Sequence, residues 1–150
     1  MIGEPEFERG TDGPRVIVVA VDGTTTSLRA AAYAAGLARR QSAELVVIFV
    51  SGPSAMTGLI PEASVLLRDA QQDIAAELRQ QVEDGARRAG IRARFIQVKG
   101  DAYTEISRVC TEVLADAVIV GASTSAGHRI VGSLGVRLVR AVRWPVTVVP

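Results

Sequence analysis

A chain of 150 residues carrying a formal net charge of +1 is long enough for one domain with a real core, and it has no cationic excess to argue for nucleic acid. Apolar residues make up 48% of it and aromatics only 4%, so the core must be Val, Leu, Ile and Ala, and the scattered Tyr33, Tyr103 and Trp144 form no base-stacking platform. No segment reaches membrane-spanning length, and Cys110, the only cysteine, leaves no internal disulfide.

Residues 1–14 hold Gly, Pro, Glu and Asp without periodicity and read as a disordered leader before a domain at 15–150. Polar and acidic, the leader does not resemble a signal peptide, and the expected setting is cytoplasmic. Arg15 to Val21 has no polar alternation and is expected as a strand buried on both faces. Asp22-Gly23 ends it, and Thr24, Thr25, Thr26 and Ser27 supply a helix N-cap. Leu28, Ala31, Ala32, Ala35 and Ala38 mark the expected inner face of the first helix. Glu44 to Val50 is a second apolar strand. Ser51 to Ala63 is a loop with two prolines and two glycines, long enough to cover a site. From Ser64 to about Ala89, Leu66, Ala70, Ile74, Leu78, Val82 and Ala86 repeat at helical spacing, and Gly90 stops the helix.

Ile91 to Val98 alternates, Arg92 and Arg94 against Ala93 and Phe95, which is the pattern of an edge strand. Gly100-Asp101 leads into a third helix with Ile106, Val109, Cys110, Val113 and Leu114 inward, so the thiol is expected buried and inert. Asp116 to Gly121 is the fourth strand. A small-residue loop follows, and Gly132-Ser133 opens a fourth helix to about Val142, with Leu134, Leu138, Val139 and Val142 inward. Trp144-Pro145 breaks it before a last strand, Val146 to Val149.

Alternating strands and helices imply an α/β fold, a Rossmann-like open parallel sheet of five strands with four helices on both faces. An edge-like third strand and a chain ending on a strand fit the order 3-2-1-4-5. The reversal then lies between strands one and four, where open α/β sheets hold ligands. Asp22-Gly23 and Gly121-Ala122 would face each other there. The glycine loop and helix start after Gly121 aim backbone N–H groups at one point, an anion site best suited to phosphate. No Asp or Glu follows Asp116, whereas Arg129, Arg137, Arg140 and Arg143 do. That quarter is locally basic, although Arg140 and Arg143 also suit a helix C-terminus. The last strand is an uncovered apolar edge, which invites a second copy.

Three pieces of this sequence resemble the universal stress protein family: VIVVAVDGTTTSLRA, AVIVGAS and GSLGVRLVRAVRWPVTVVP. The resemblance covers residues 15–150. It implies homodimers through the last strand (Val146 to Val149) and, in many members, bound ATP with Mg2+; some members take AMP or cyclic AMP and others no nucleotide. Asp22 matches the acidic residue near the adenosine, and Val50 the adenine pocket. Gly121 matches the first glycine of the nucleotide loop, and Gly132-Ser133 the closing pair. The implied site thus runs over Val21, Asp22, Gly23 and Val50 at one end. At the other are Val120, Gly121, Thr124, Gly127, Arg129, Gly132, Ser133 and Leu134. Thr124 stands where the family has its second glycine, and seven residues instead of nine separate it from Gly132. Gly127 would restore some backbone freedom, and His128 and Arg129 would add positive charge.

Two functions fit. One is a homodimeric regulatory protein binding an adenine nucleotide. The other is a dimeric partner-binding module of the same fold whose pocket is degenerate and empty. No catalytic constellation is visible. His128 is the only histidine, and without a second His or a nearby Cys no metal site is expected; Asp22 is the one obvious carboxylate at the crevice.

Overall fold

A computed structural model describes residues 13–51, 61–123 and 131–150, and side chains of the second helix from residue 65 onward. The expected leader falls outside these residues apart from Gly13 and Pro14, as does the loop between Ser51 and Pro61. In chain order the elements are β1 (Val16–Val21), α1 (Thr25–Gln41), β2 (Glu44–Ser51), α2 (Pro61–Ala89), β3 (Arg92–Lys99), α3 (Ala102–Glu112), β4 (Ala117–Gly121), α4 (Ser133–Ala141) and β5 (Val146–Val149). The strands form one five-stranded sheet in the order β3-β2-β1-β4-β5, parallel throughout, as the sequence predicts.

The unbroken apolar runs explain the layering. Along a strand, successive side chains face opposite sides of the sheet. Ile17, Val19 and Val21 therefore pack with α1 and α2, whereas Val18 and Ala20 pack with α3 and α4. Val18 sits in register with Val46 on one neighbour and Val118 on the other, and all three are fully buried. β3 is an edge as expected: Arg92 and Arg94 are exposed, and Arg94 pairs with Glu44 of β2. At the amino edge, Asp116 Oδ2 accepts from the amides of Arg15 and Val16 at 2.8 and 2.9 Å. That carboxylate ends the third connection and fastens the start of β1.

The helices are rotated relative to the sequence reading. The innermost line of α1 is Ala30, Ala34 and Ala38, each fully buried, while Leu28 is 40% exposed and Ala32 is exposed. Small side chains let this helix sit close to the sheet, and the bulkier Leu28 turns aside. Leu114, expected inward, is exposed, because the chain turns left-handed there (φ 54°) after α3 ends. Val139 and Val142 are exposed too, since Gly135 and Leu138 take the buried face of α4. α2 starts at Pro61, three residues early, proline being pre-shaped for a first helical turn. Its 29 residues span about 43 Å, against about 27 Å for the 8 residues of β2. The helix outruns the sheet, which leaves Leu66 and Ala70 exposed. Cys110 is fully buried, and burial pushes its thiol up to about 12, the inert state expected.

Two backbones come close together at Gly121. A Cβ there would lie 2.6 Å from the carbonyl carbon and oxygen of Thr26 and 2.7 Å from the amide nitrogen of Ser27. The first turn of α1 thus rests directly on the end of β4, backbone to backbone. Gly121→Ala is expected to cost about 1–3 kcal/mol through overpacking. Urea unfolding would show it as a lower midpoint at constant slope, and an unchanged midpoint would mean that α1 lifts away freely.

Candidate functional site

The strand order places the carboxyl ends of β1 and β4 side by side, and a cavity of about 560 Å³ opens there. Eight residues singled out in the sequence line it together: Val21, Asp22 and Val50 from β1 and β2, and Val120, Gly121, Gly132, Ser133 and Leu134 from β4 and α4. Gly23 is not in the lining. It takes φ 88°, a conformation that favours glycine, and a Cβ on it would face Ile74 of α2 at 3.5 Å. Thr124, Gly127 and Arg129 lie outside the described residues, as does His128.

Asp22 is tied into its own turn. Its Oδ1 accepts from the amide of Thr24 at 2.9 Å and from the Thr24 hydroxyl at 2.6 Å. That hydroxyl caps α1 by accepting from the Ser27 amide at 3.3 Å. The Ser27 hydroxyl donates to the Thr24 carbonyl at 2.9 Å and accepts from the Asp22 amide at 3.3 Å. This ring of bonds presents a carboxylate, two hydroxyls and the first turn of α1 to the cavity. Asp22 thus has both a structural role, in shaping the turn, and a place in the cavity lining.

The opposite wall is the start of α4. Gly132 is the N-cap, extended at φ −68° and ψ 170°, and makes no side-chain cap bond. Its carbonyl accepts the first helical bond, from Val136, at 3.0 Å. The amides of Ser133, Leu134 and Gly135 come before that bond, in the part of a helix that lacks internal acceptors. α1 and α3, by contrast, are capped by Thr24 and Asp101 side chains. Gly132 has room for little else: a Cβ would stand 3.2 Å from the Cβ of Ser123. Such a bare helix start, its dipole positive, is a physical basis for holding an anion.

Sequence reasoning missed a third wall. Gly100, Ala102 and Ile106 line the cavity too, because α3 leaves the β3 edge and crosses back over the sheet to reach β4. The signal was present in the strand order, which forces that path. Gly135 was missed as well. It is buried, and a Cβ there would come to 2.9 Å of Val131.

In the basic C-terminal quarter, the described arginines stay out of the cavity lining. Among all the described residues no arginine or lysine lines the cavity. Arg137 and Arg143 reach α3 instead. Arg137 bonds Asp101 and stacks on Tyr103; Arg143 donates to the Thr111 hydroxyl at 2.9 Å and stacks on Trp144. The Thr104 amide and hydroxyl, followed by Arg137, hold the Asp101 carboxyl below its usual range. Any anion at this end would meet amides and hydroxyls, to which the described residues add no positive side chain.

Comparison with known proteins bears on the family and the fold. A family model described as Universal stress protein family matches residues 14–150. Universal stress protein MJ0531 of Methanocaldococcus jannaschii is 28% identical over 136 residues, which cover 89% of this chain and 80% of that protein. The structure of universal stress protein UspA from Lactobacillus plantarum superposes with a TM-score of 0.75 at 26% identity, over 90% of this chain and 97% of that one. A universal stress protein crystallised in complex with cAMP superposes at 0.68 and 23% identity, over 91% and 97% of the two chains.

Asp22→Asn keeps an oxygen that can accept from Thr24, so its stability should stay within about 0.5 kcal/mol of the parent. Asp22→Ala removes the acceptor and should lose about 1 kcal/mol, as a lost cap does. Urea midpoints separate the two. Equal losses would assign the turn's stability to the charge and not to the acceptor.

Proposed function

The chain belongs to the universal stress protein family, and from that premise we propose that it is a homodimeric regulatory protein that binds an adenine nucleotide at the sheet's switch point. One observation carries the reading: an apolar recess and a bare helix N-terminus share one cavity. Val50 and Ile106 suit the flat, apolar faces of a base. Asp22 and the hydroxyls near it suit a ribose. The amides of Ser133, Leu134 and Gly135 suit phosphate oxygens. The cAMP bound by a structural neighbour supports the same ligand class. If the ligand is ATP, Mg2+ would ride on its phosphates, with Asp22 the one carboxylate in the described lining. A cytoplasmic setting, with Cys110 kept as a buried thiol, is part of the proposal.

The dimer half of the proposal rests on β5. It is a sheet edge whose four residues are all partly exposed, with exposed Val139 and Val142 nearby on α4 and just beyond it. An apolar edge of this kind favours pairing with an identical edge. Sedimentation at micromolar concentration should give twice the chain mass of 15.8 kDa; the single mass would remove this half.

A second reading, a partner-binding module with an empty pocket, is favoured by Thr124 and the seven-residue spacing before Gly132. Thermal unfolding separates the two. A ligand at 100 times its Kd stabilises by about 2.7 kcal/mol, which for a domain of this size raises the midpoint by roughly 5–10 °C. ATP, AMP or cyclic AMP should produce that rise. Gly132→Val, whose side chain would crowd Ser123 and cover the amides, should fold and lose it. No rise with any of the three at millimolar levels would leave the second reading.

A further inference from the structure

Arg137 stands on the second turn of α4, outside the cavity lining. Its guanidinium carbon lies 4.3 Å from the centroid of the Tyr103 ring. Its Nη1 reaches both carboxylate oxygens of Asp101, at 3.2 and 3.4 Å. Asp101 is at the same time the N-cap of α3, where Oδ2 accepts from the amide and hydroxyl of Thr104 at 2.9 and 2.7 Å. One carboxylate therefore joins the first turn of α3 to the second turn of α4. Both helices wall the cavity, through Ala102 and Ile106 on one side and Ser133, Leu134 and Gly135 on the other.

At its leading end α4 rests on the sheet through the buried Gly135 and packs Leu134 against the core. It has nine residues, fewer than an isolated helix needs to persist in water. Its N-cap has no side chain to bond the first turn. Leu138, its fully buried large side chain, anchors it one turn after Leu134. These apolar contacts draw α4 onto the sheet but are not directional. A planar guanidinium that stacks on a ring and bonds a carboxylate fixes two directions at once.

We propose that Arg137 is a positioning residue: with Asp101 and Tyr103 it clamps α4 to α3 and so sets the distance between the α4 amides and the rest of the cavity. The inference rests on the nucleotide reading above for its effect on binding. Exposed ion pairs add little to global stability, so the clamp acts on geometry.

The test uses the full chain and the variants Arg137→Ala, Arg137→Lys and Asp101→Asn. Asn caps a helix about as well as Asp, so Asp101→Asn removes the charge and leaves α3 capped. Titration with ATP and with AMP should show Kd raised roughly two- to fivefold, the most that the worth of an exposed pair allows, in Arg137→Ala and Asp101→Asn. Arg137→Lys, which keeps the charge and loses the planar fork, should fall between. Melting temperatures should stay within about 2 °C of the parent, as expected of exposed pairs. Without ligand, amide exchange at residues 136–138 should quicken in Arg137→Ala while α1 is unchanged. A lower melting temperature with unchanged Kd would show a merely structural role and overturn the proposal, as would unchanged Kd and unchanged exchange. If the parent chain takes up neither nucleotide, the nucleotide reading fails, and exchange alone decides the clamp: faster exchange in α4 upholds it and unchanged exchange overturns it.

Discussion

At the carboxyl edge of the sheet, the end of β4 and the first turn of α1 touch through their main chains. No side chain fits between them, because a single carbon on Gly121 would overlap the peptide of Thr26 and Ser27. The position of α1 sets the position of Thr24 and Ser27, and these in turn hold Asp22 through a closed ring of hydrogen bonds. The near wall of the cavity is therefore a consequence of one missing Cβ. Gly121 is first a packing residue.

The same economy of bulk governs the rest of the site. Alanines 30, 34 and 38 bring α1 down onto the sheet, and Gly135 does so for α4. Close helices leave the strand ends shallow enough for a cavity between them, with valines at its floor and uncapped amides on one side. Apart from Asp22, the described charged side chains work elsewhere. Arg94 and Glu44 tie β3 to β2, and Arg137 and Arg143 tie α4 and its sequel to α3. Each of these pairs is largely open to water and adds little energy. What they supply is direction, which a short helix without a capping side chain lacks.

Much of this could be read from residue order. Continuous apolar strands require cover on both faces, and the arginines of β3 mark an edge. Gly132-Ser133 and Asp22 then fall on opposite sides of the switch point without further information. Helix faces were less legible. An alanine-rich helix has several faces of nearly equal apolarity, so Leu28 and Ala32 could be set inward on paper when Ala30 and Ala34 are inward in fact. Leu114 and Val142 lie where the chain turns left-handed at the end of a helix, and no periodicity announces that turn.

What the residues in sequence determined was a parallel α/β sheet, its strand order, and the two segments that meet at its switch point. These follow from hydrophobic pattern and chain connectivity, which are properties of neighbours along the chain. Only the tertiary structure decided that Gly121 is a contact between backbones, that α3 supplies a wall of the cavity, and that Arg137 and Arg143 face α3 instead of the cavity. Those outcomes depend on distances between atoms far apart in sequence, and such distances exist only after the helices have settled on the sheet.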